Sequence, residues 1–145
     1  MPDPVRICVL AGLLLLAACG REEPKYTHVV ADNLWQRLLI FFDADRFTPE
    51  PQSERSLSDY YKYIVAQNPH KLIISGHTDT TGNAPHNLAL SRKRATVVAE
   101  RLIALGYPRD KIEIKALGAN QQLVPTKPGV SEPQNRRVEI FLSYE

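Results

Sequence analysis

This sequence is short of cysteine, short of net charge and without a long hydrophobic run. Two cysteines occur in 145 residues, Cys8 and Cys19, both near the N-terminus. A disulfide-framed scaffold is therefore excluded. Eighteen Lys+Arg against sixteen Asp+Glu leave a formal net charge of +2. The longest basic run, Arg92-Lys93-Arg94, falls in a helical pattern where three neighbours point three ways. It makes no basic face of the kind a phosphate binder needs, so nucleic acid is not an expected partner. The longest apolar run is shorter than the ~18–20 residues that cross a bilayer as a helix. There is no GxSxG motif, no internal repeat and no low-complexity tract. What remains, 43% hydrophobic and 23% charged residues, is the composition of one globular domain.

The apolar run itself, ICVLAGLLLLAA at 7–18, follows a short segment bearing Arg6. Its length and position fit an export signal. It ends in Leu16-Ala17-Ala18-Cys19, which looks like a bacterial lipobox. Residues 1–18 are then a lipoprotein signal peptide, and Cys19 becomes an acylated N-terminus. Several acyl chains anchor a protein stably where one does not. Gly20 in place of Asp after that cysteine implies sorting to the outer membrane. Residues 19–33 read as the lipidated N-terminus and a short tether, and 34–145 as the folded domain. A stretch of about 13 extended residues reaches at most ~45 Å, so the domain works close to its membrane. After processing the chain holds no thiol free for a disulfide, and its core alone must stabilise it.

Residues 34–42 (LWQRLLIFF) predict a buried strand, although a short helix over 33–38 also fits. Thr48-Pro49-Glu50-Pro51 breaks the chain. Leu57, Tyr60, Tyr61 and Ile64 then recur at helical spacing over 53–67, with Ser56 and Asp59 placed as a capping box. Asn68-Pro69 ends that helix. KLIISG at 71–76 is a short continuous apolar run of the central-strand type. A loop, 77–85, leads to a helix over 86–105 whose core stripe is Ser91, Ala95, Val98, Leu102 and Leu105, closed by Gly106. Residues 112–116 and 138–144 alternate like half-buried strands. The long link between them, 118–135, is polar. This order, βαβαββ, predicts an α/β (α+β) sandwich: a small mixed four-stranded sheet with helices packed on one face.

The densest polar cluster is Gly76-His77-Thr78-Asp79-Thr80-Thr81-Gly82, at the C-terminal end of the predicted central strand, where α/β sheets bind ligands. The same segment also reads as a connecting loop in which Asp79 or a threonine caps backbone amides. On the following helix Asn87, Leu90, Ser91 and Arg94 share one face. Arg94 can approach Asp79 there, either as a structural ion pair or as half of a binding site. An acid and an arginine together suit a zwitterionic amino-acid end. Asp79 takes the ammonium, and the planar fork of Arg94 takes the carboxylate. No proton transfer is involved, so this is recognition rather than catalysis. On that reading Arg94→Ala removes binding and spares the fold. His77, Asp79 and His86 form at most a partial metal site. Neither a metal nor a cofactor is expected. Alternation in Asn135-Arg136-Arg137-Val138-Glu139-Ile140 places Arg137 with Glu139 and Arg136 with Val138.

Taken together, GHTD at 76–79 with Gly82, NLALSRKRA at 87–95 and NRRVEI at 135–140 resemble the OmpA-like peptidoglycan-binding domain family. The resemblance runs from about Leu39 to Leu142. With the lipobox and tether it is of the peptidoglycan-associated lipoprotein type. It implies a non-enzymatic domain that grips the peptidoglycan stem peptide at meso-diaminopimelate. The domain would be anchored by lipid in the outer membrane and face the periplasm. Asp79 and Arg94 match the family's diaminopimelate-binding pair. Thr80, Asn87, Leu90 and Arg137 match positions that line or support the pocket. Two segments depart from the family pattern. The turn Phe42-Asp43-Ala44-Asp45-Arg46 is shorter than the usual FDFDS type, which leaves a contact from Asp43 open. Gly118-Ala119-Asn120-Gln121 lacks the usual aromatic. These departures motivate an alternative: an interaction subunit of a periplasmic secretion, motility or signalling assembly, with a protein such as a Tol-type or secretion component as its main ligand.

Overall fold

A computed structural model describes residues 37–145. The signal peptide, Cys19 and the tether lie outside the described residues. The elements are β1 (Arg37–Phe41), α1 (Pro51–Gln67), β2 (Lys71–His77), α2 (Ala84–Ala104), β3 (Ile112–Gly118) and β4 (Arg137–Ser143). Single 3-10 turns span Arg109–Lys111 and Pro133–Asn135. The sheet order is β1-β4-β2-β3, with β2 and β3 parallel and the other pairs antiparallel. The mixed four-stranded α/β sandwich expected from the sequence is the fold found. Among the described residues no helix is long and apolar enough to cross a membrane.

Strand alternation puts Ile40, Leu72, Ile74, Val138, Ile140 and Leu142 on one face of the sheet. Leu57, Tyr60 and Ile64 of α1 and Ala95, Val98 and Leu102 of α2 cover them. Helix α1 starts two residues earlier than its pattern suggests. Pro51 opens it, where a fixed φ is pre-organised and no N–H is missed. Ser56 is consequently inside the helix, donating to the Gln52 carbonyl at 3.1 Å, and caps nothing. Asn68 closes the helix in the left-handed region, at φ 44°. Pro85 likewise belongs to the first turn of α2, behind Asn83, whose side chain accepts from the His86 N–H at 2.9 Å. At the other end Gly106 N–H bonds to the Ile103 carbonyl and Tyr107 N–H to that of Leu102, each at 2.9 Å. This is the Schellman geometry, and it brings Tyr107 into the core in place of Leu105, which is exposed.

One contact fixes how closely α2 lies on the sheet. A Cβ at Gly76 would sit 1.9 Å from the Ser91 carbonyl oxygen, so only glycine permits this approach. Ser91 is wholly buried beneath it and accepts from the Gly118 N–H at 3.0 Å. One turn further along α2, Arg94 is delivered to the end of β2.

Candidate functional site

The cavity at the C-terminal end of β2 has a volume of about 210 Å³. Asp45, Asp79, Asn87, Leu90, Arg94 and Arg136 line it together with Thr78, Thr81, Gly82 and His86. Four separate segments supply these groups: the β1–α1 loop, the β2–α2 loop, the first turns of α2, and the start of β4.

Arg94 has no exposed surface. Its Nε donates to the Arg46 carbonyl at 2.7 Å, Nη1 to that of His77 at 3.0 Å and Nη2 to that of Asp43 at 3.0 Å. The Phe42 ring lies 5.2 Å from the guanidinium carbon. The short 43–46 turn is thus wrapped around the arginine. Asp45 occupies the turn position that needs positive φ, at 52°, a conformation aspartate tolerates better than most residues. A guanidinium has five N–H groups, so these bonds leave part of its donor capacity unspent. Burial, reinforced by the neighbouring Arg136, lowers the Arg94 pKa to about 10, against the pull of Asp79 and Asp45.

Asp79 is 3% exposed and is held from every side. Its Oδ1 accepts from the Thr81 amide and hydroxyl. Its Oδ2 accepts from Arg136 Nη1 at 3.1 Å, Glu132 N–H at 3.3 Å and Ser131 Oγ at 3.4 Å. Burial alone would raise its pKa. The bonds from Thr81, Arg136 and Glu132 outweigh that and hold the carboxyl below its ordinary value. Asn87 ties the loop to α2, donating to the Thr81 carbonyl at 2.7 Å. Asp45 is the contrasting acid. Its side chain is 75% exposed and accepts from His86 Nε2 at 2.9 Å.

Four of the expected site residues, Asp79, Asn87, Leu90 and Arg94, therefore surround one cavity. Two others do not. Thr80 turns away and anchors the 118–135 link, donating to the Lys127 carbonyl at 2.8 Å and accepting from the Val130 N–H at 3.2 Å. Arg137 lies on the opposite, helix-free face of the sheet because strand alternation sends it there with Glu139, 2.6 Å away. His77 shares that face, donating through Nδ1 to the Gln121 carbonyl at 3.2 Å, with Nε2 3.7 Å from Glu139. Burial and Arg137 lower the His77 pKa to about 4. Of the two adjacent arginines, Arg136, alternate to Arg137, is the one that faces the cavity. The period-2 pattern places Arg136 on the face of Val138. Asp43 contributes its carbonyl to Arg94, while its neighbours Ala44 and Asp45 line the cavity. His77 lies on the other face of the sheet from Asp79 and His86. Among the described residues no group of three His, Cys, Asp or Glu side chains is placed to hold a metal.

A one-sided α/β sandwich with a buried arginine and aspartate at the end of its central strand defines the class. Residues 41–136 match the OmpA family, and the chain belongs to it. The outer-membrane lipoprotein YfiB of Pseudomonas aeruginosa is 30% identical over 98% of this chain and 96% of its own length. An outer membrane protein of Gluconacetobacter diazotrophicus is 34% identical over 72% of this chain, which spans only 29% of that longer protein. The crystal structure of the peptidoglycan-associated lipoprotein from Burkholderia pseudomallei superposes with a TM-score of 0.65. It is 29% identical and covers 71% of this chain and 87% of that one.

Proposed function

We propose that this chain is an outer-membrane lipoprotein, anchored through Cys19, whose periplasmic domain binds peptidoglycan non-covalently and tethers the membrane to the wall. The ligand feature is the zwitterionic end of meso-diaminopimelate in the stem peptide. The carrying observation is the pairing of opposite charges in one 210 Å³ cavity. Arg94 and Arg136 offer N–H groups to a carboxylate, and Asp79 and Asp45 supply the charge an ammonium requires. Neither of these ionic contacts requires a proton transfer, so the chemistry is recognition. Its relatives, an outer-membrane lipoprotein and a peptidoglycan-associated lipoprotein by name, support the same reading. A weak single contact suffices, because a membrane anchor raises the effective concentration of the domain at the wall.

The test is a titration of the full chain, purified in detergent, with meso-diaminopimelate and with sedimentable peptidoglycan. Saturable binding to both is expected, with lower affinity for stems whose diaminopimelate carboxylate is amidated. Absence of binding to either by folded protein refutes the proposal.

A further inference from the structure

We propose that the helix-free face of the sheet is a docking groove for a segment of another protein that carries a carboxylate between large apolar side chains. This surface is separate from the cavity at the end of β2, and its occupant does not depend on what that cavity binds. A sheet covered by helices on one side ordinarily turns polar side chains to the other. Here alternation sends Leu39, Ile73, Leu117 and Phe141 to the open face, and Leu123 of the 118–135 link joins them. With Arg37 and Lys115 of the two edge strands they line a groove of about 890 Å³. Phe141 is 46% exposed and Leu123 39% exposed. The groove is preformed: the Leu123 N–H donates to Oδ1 of the fully buried Asn135 at 2.8 Å. The register sets Arg37 beside Phe141 and Phe141 beside Ile73, so a cation, an aromatic and an aliphatic side chain stand in one row across three strands.

The charge in this groove is unbalanced. Arg37, and Arg137 through Nε and Nη2, converge on one oxygen, Oε1 of Glu139. One carboxylate thus serves two guanidiniums, and Arg137 is buried, where salt screens it little. Lys115 is paired with Glu113 at 3.4 Å and leaves that surplus standing. His77 adjoins the arginines and is held neutral, so it adds no charge. A second carboxylate completes the set. It would take the half-exposed Arg37, whose planar fork binds a carboxylate in two places, while apolar side chains on either side of it fill the space beside Phe141 and Leu123. A second copy of the same face would set two cationic surpluses against each other, which is unfavourable. A concave site suits inserted side chains rather than a flat lipid surface.

The experiment selects phage-displayed random dodecapeptides on the full chain in detergent and measures the winners by fluorescence anisotropy. Peptides with an Asp or Glu flanked by Leu, Ile, Phe or Trp should be enriched. Phe141→Thr should weaken them about tenfold or more, as loss of a central aromatic does. Arg37→Gln should weaken them about fivefold or more. Replacing the peptide's acid by its amide should cost a similar factor in the unmutated protein and little in Arg37→Gln, which ties the two groups together. Both variants change surface side chains and should keep the circular-dichroism melt of the unmutated protein; Leu123→Ser replaces Phe141→Thr if that variant does not fold. Failure to enrich any peptide, enrichment of peptides without an acid, or binding that survives both substitutions overturns the proposal. Release of the peptides by meso-diaminopimelate overturns it by placing them in the cavity at the end of β2. Sedimentation equilibrium that shows a dimer lost in Phe141→Thr overturns it by giving the groove to a second copy.

Discussion

Replacing Arg94 by alanine tests whether this arginine is a ligand contact on a finished scaffold or part of the scaffold. The structure favours the second for stability. Its three hydrogen bonds to the carbonyls of Asp43, Arg46 and His77 each come from a charged donor. Such bonds contribute about 1.5–3 kcal/mol apiece, or roughly 5–9 kcal/mol together. Against this stands the cost of burying the cation. Burial lowers its pKa to about 10, which corresponds to about 3 kcal/mol of disfavoured charge. The difference predicts a loss of roughly 2–6 kcal/mol in Arg94→Ala. That is a large share of the ~5–15 kcal/mol that stabilises an ordinary domain. The expected fall in Tm is on the order of 10–25 °C. Arg94→Lys, which can keep one carbonyl contact, should fall between the two. Urea and thermal unfolding followed by circular dichroism measure both. An Arg94→Ala midpoint within about 1 kcal/mol of the unmutated protein would refute the reasoning, because a merely lining arginine behaves that way.

Three further outcomes are expected. Gly76→Ala places a methyl against the Ser91 carbonyl, so α2 must lift from β2 and the urea midpoint should drop sharply. His77 is held neutral, with its pKa lowered from 6.5 to about 4. Its contribution is therefore complete above about pH 6.5 and is lost as pH falls through 4. That is about 3 kcal/mol over this window, and His77→Gln should flatten the stability profile there. The carboxylate of Asp79, depressed rather than raised, adds its loss only at lower pH, below the ordinary carboxylate range. Thr80→Val should speed amide hydrogen exchange at Gly129 and Val130 while leaving diaminopimelate affinity within about twofold, since Thr80 faces the 126–130 segment and not the cavity.

The topology was legible because most elements carried a recognisable apolar pattern, periodic in the helices and the last two strands and continuous in the central one. KLIISG could only be a central strand, and the Ser91–Leu102 stripe could only be a helix face against it. Helix starts were less legible. Pro51 and Pro85 read as breakers in sequence, yet each sits in a first turn, where proline costs no hydrogen bond. The Asp79–Arg94 neighbourhood was visible from spacing on one helix and one loop. Its wiring was not. Arg94 spends its nitrogens on carbonyls 17 to 51 residues away, and backbone acceptors leave no mark in sequence. Asp45 was hidden for a related reason. Only the turn around Arg94 turns an ordinary loop acid toward the cavity.

The position of β1 has a mechanical consequence. It is an edge strand, paired only with β4, and it is the first described element after the tether. Under the tethering reading, a pull from the membrane enters at Arg37 and passes along five register pairs to Phe41. It next meets the 43–46 turn, which Arg94 clasps and which borders the wall-binding cavity. Within the folded domain that load path is thus about ten residues long, from Arg37 to Arg46, and bypasses α1, β3 and most of the core. A tug on the envelope would strain the ligand clasp before it strained the domain. Weakening the β1–β4 ladder should therefore lower rupture force far more than it lowers equilibrium affinity.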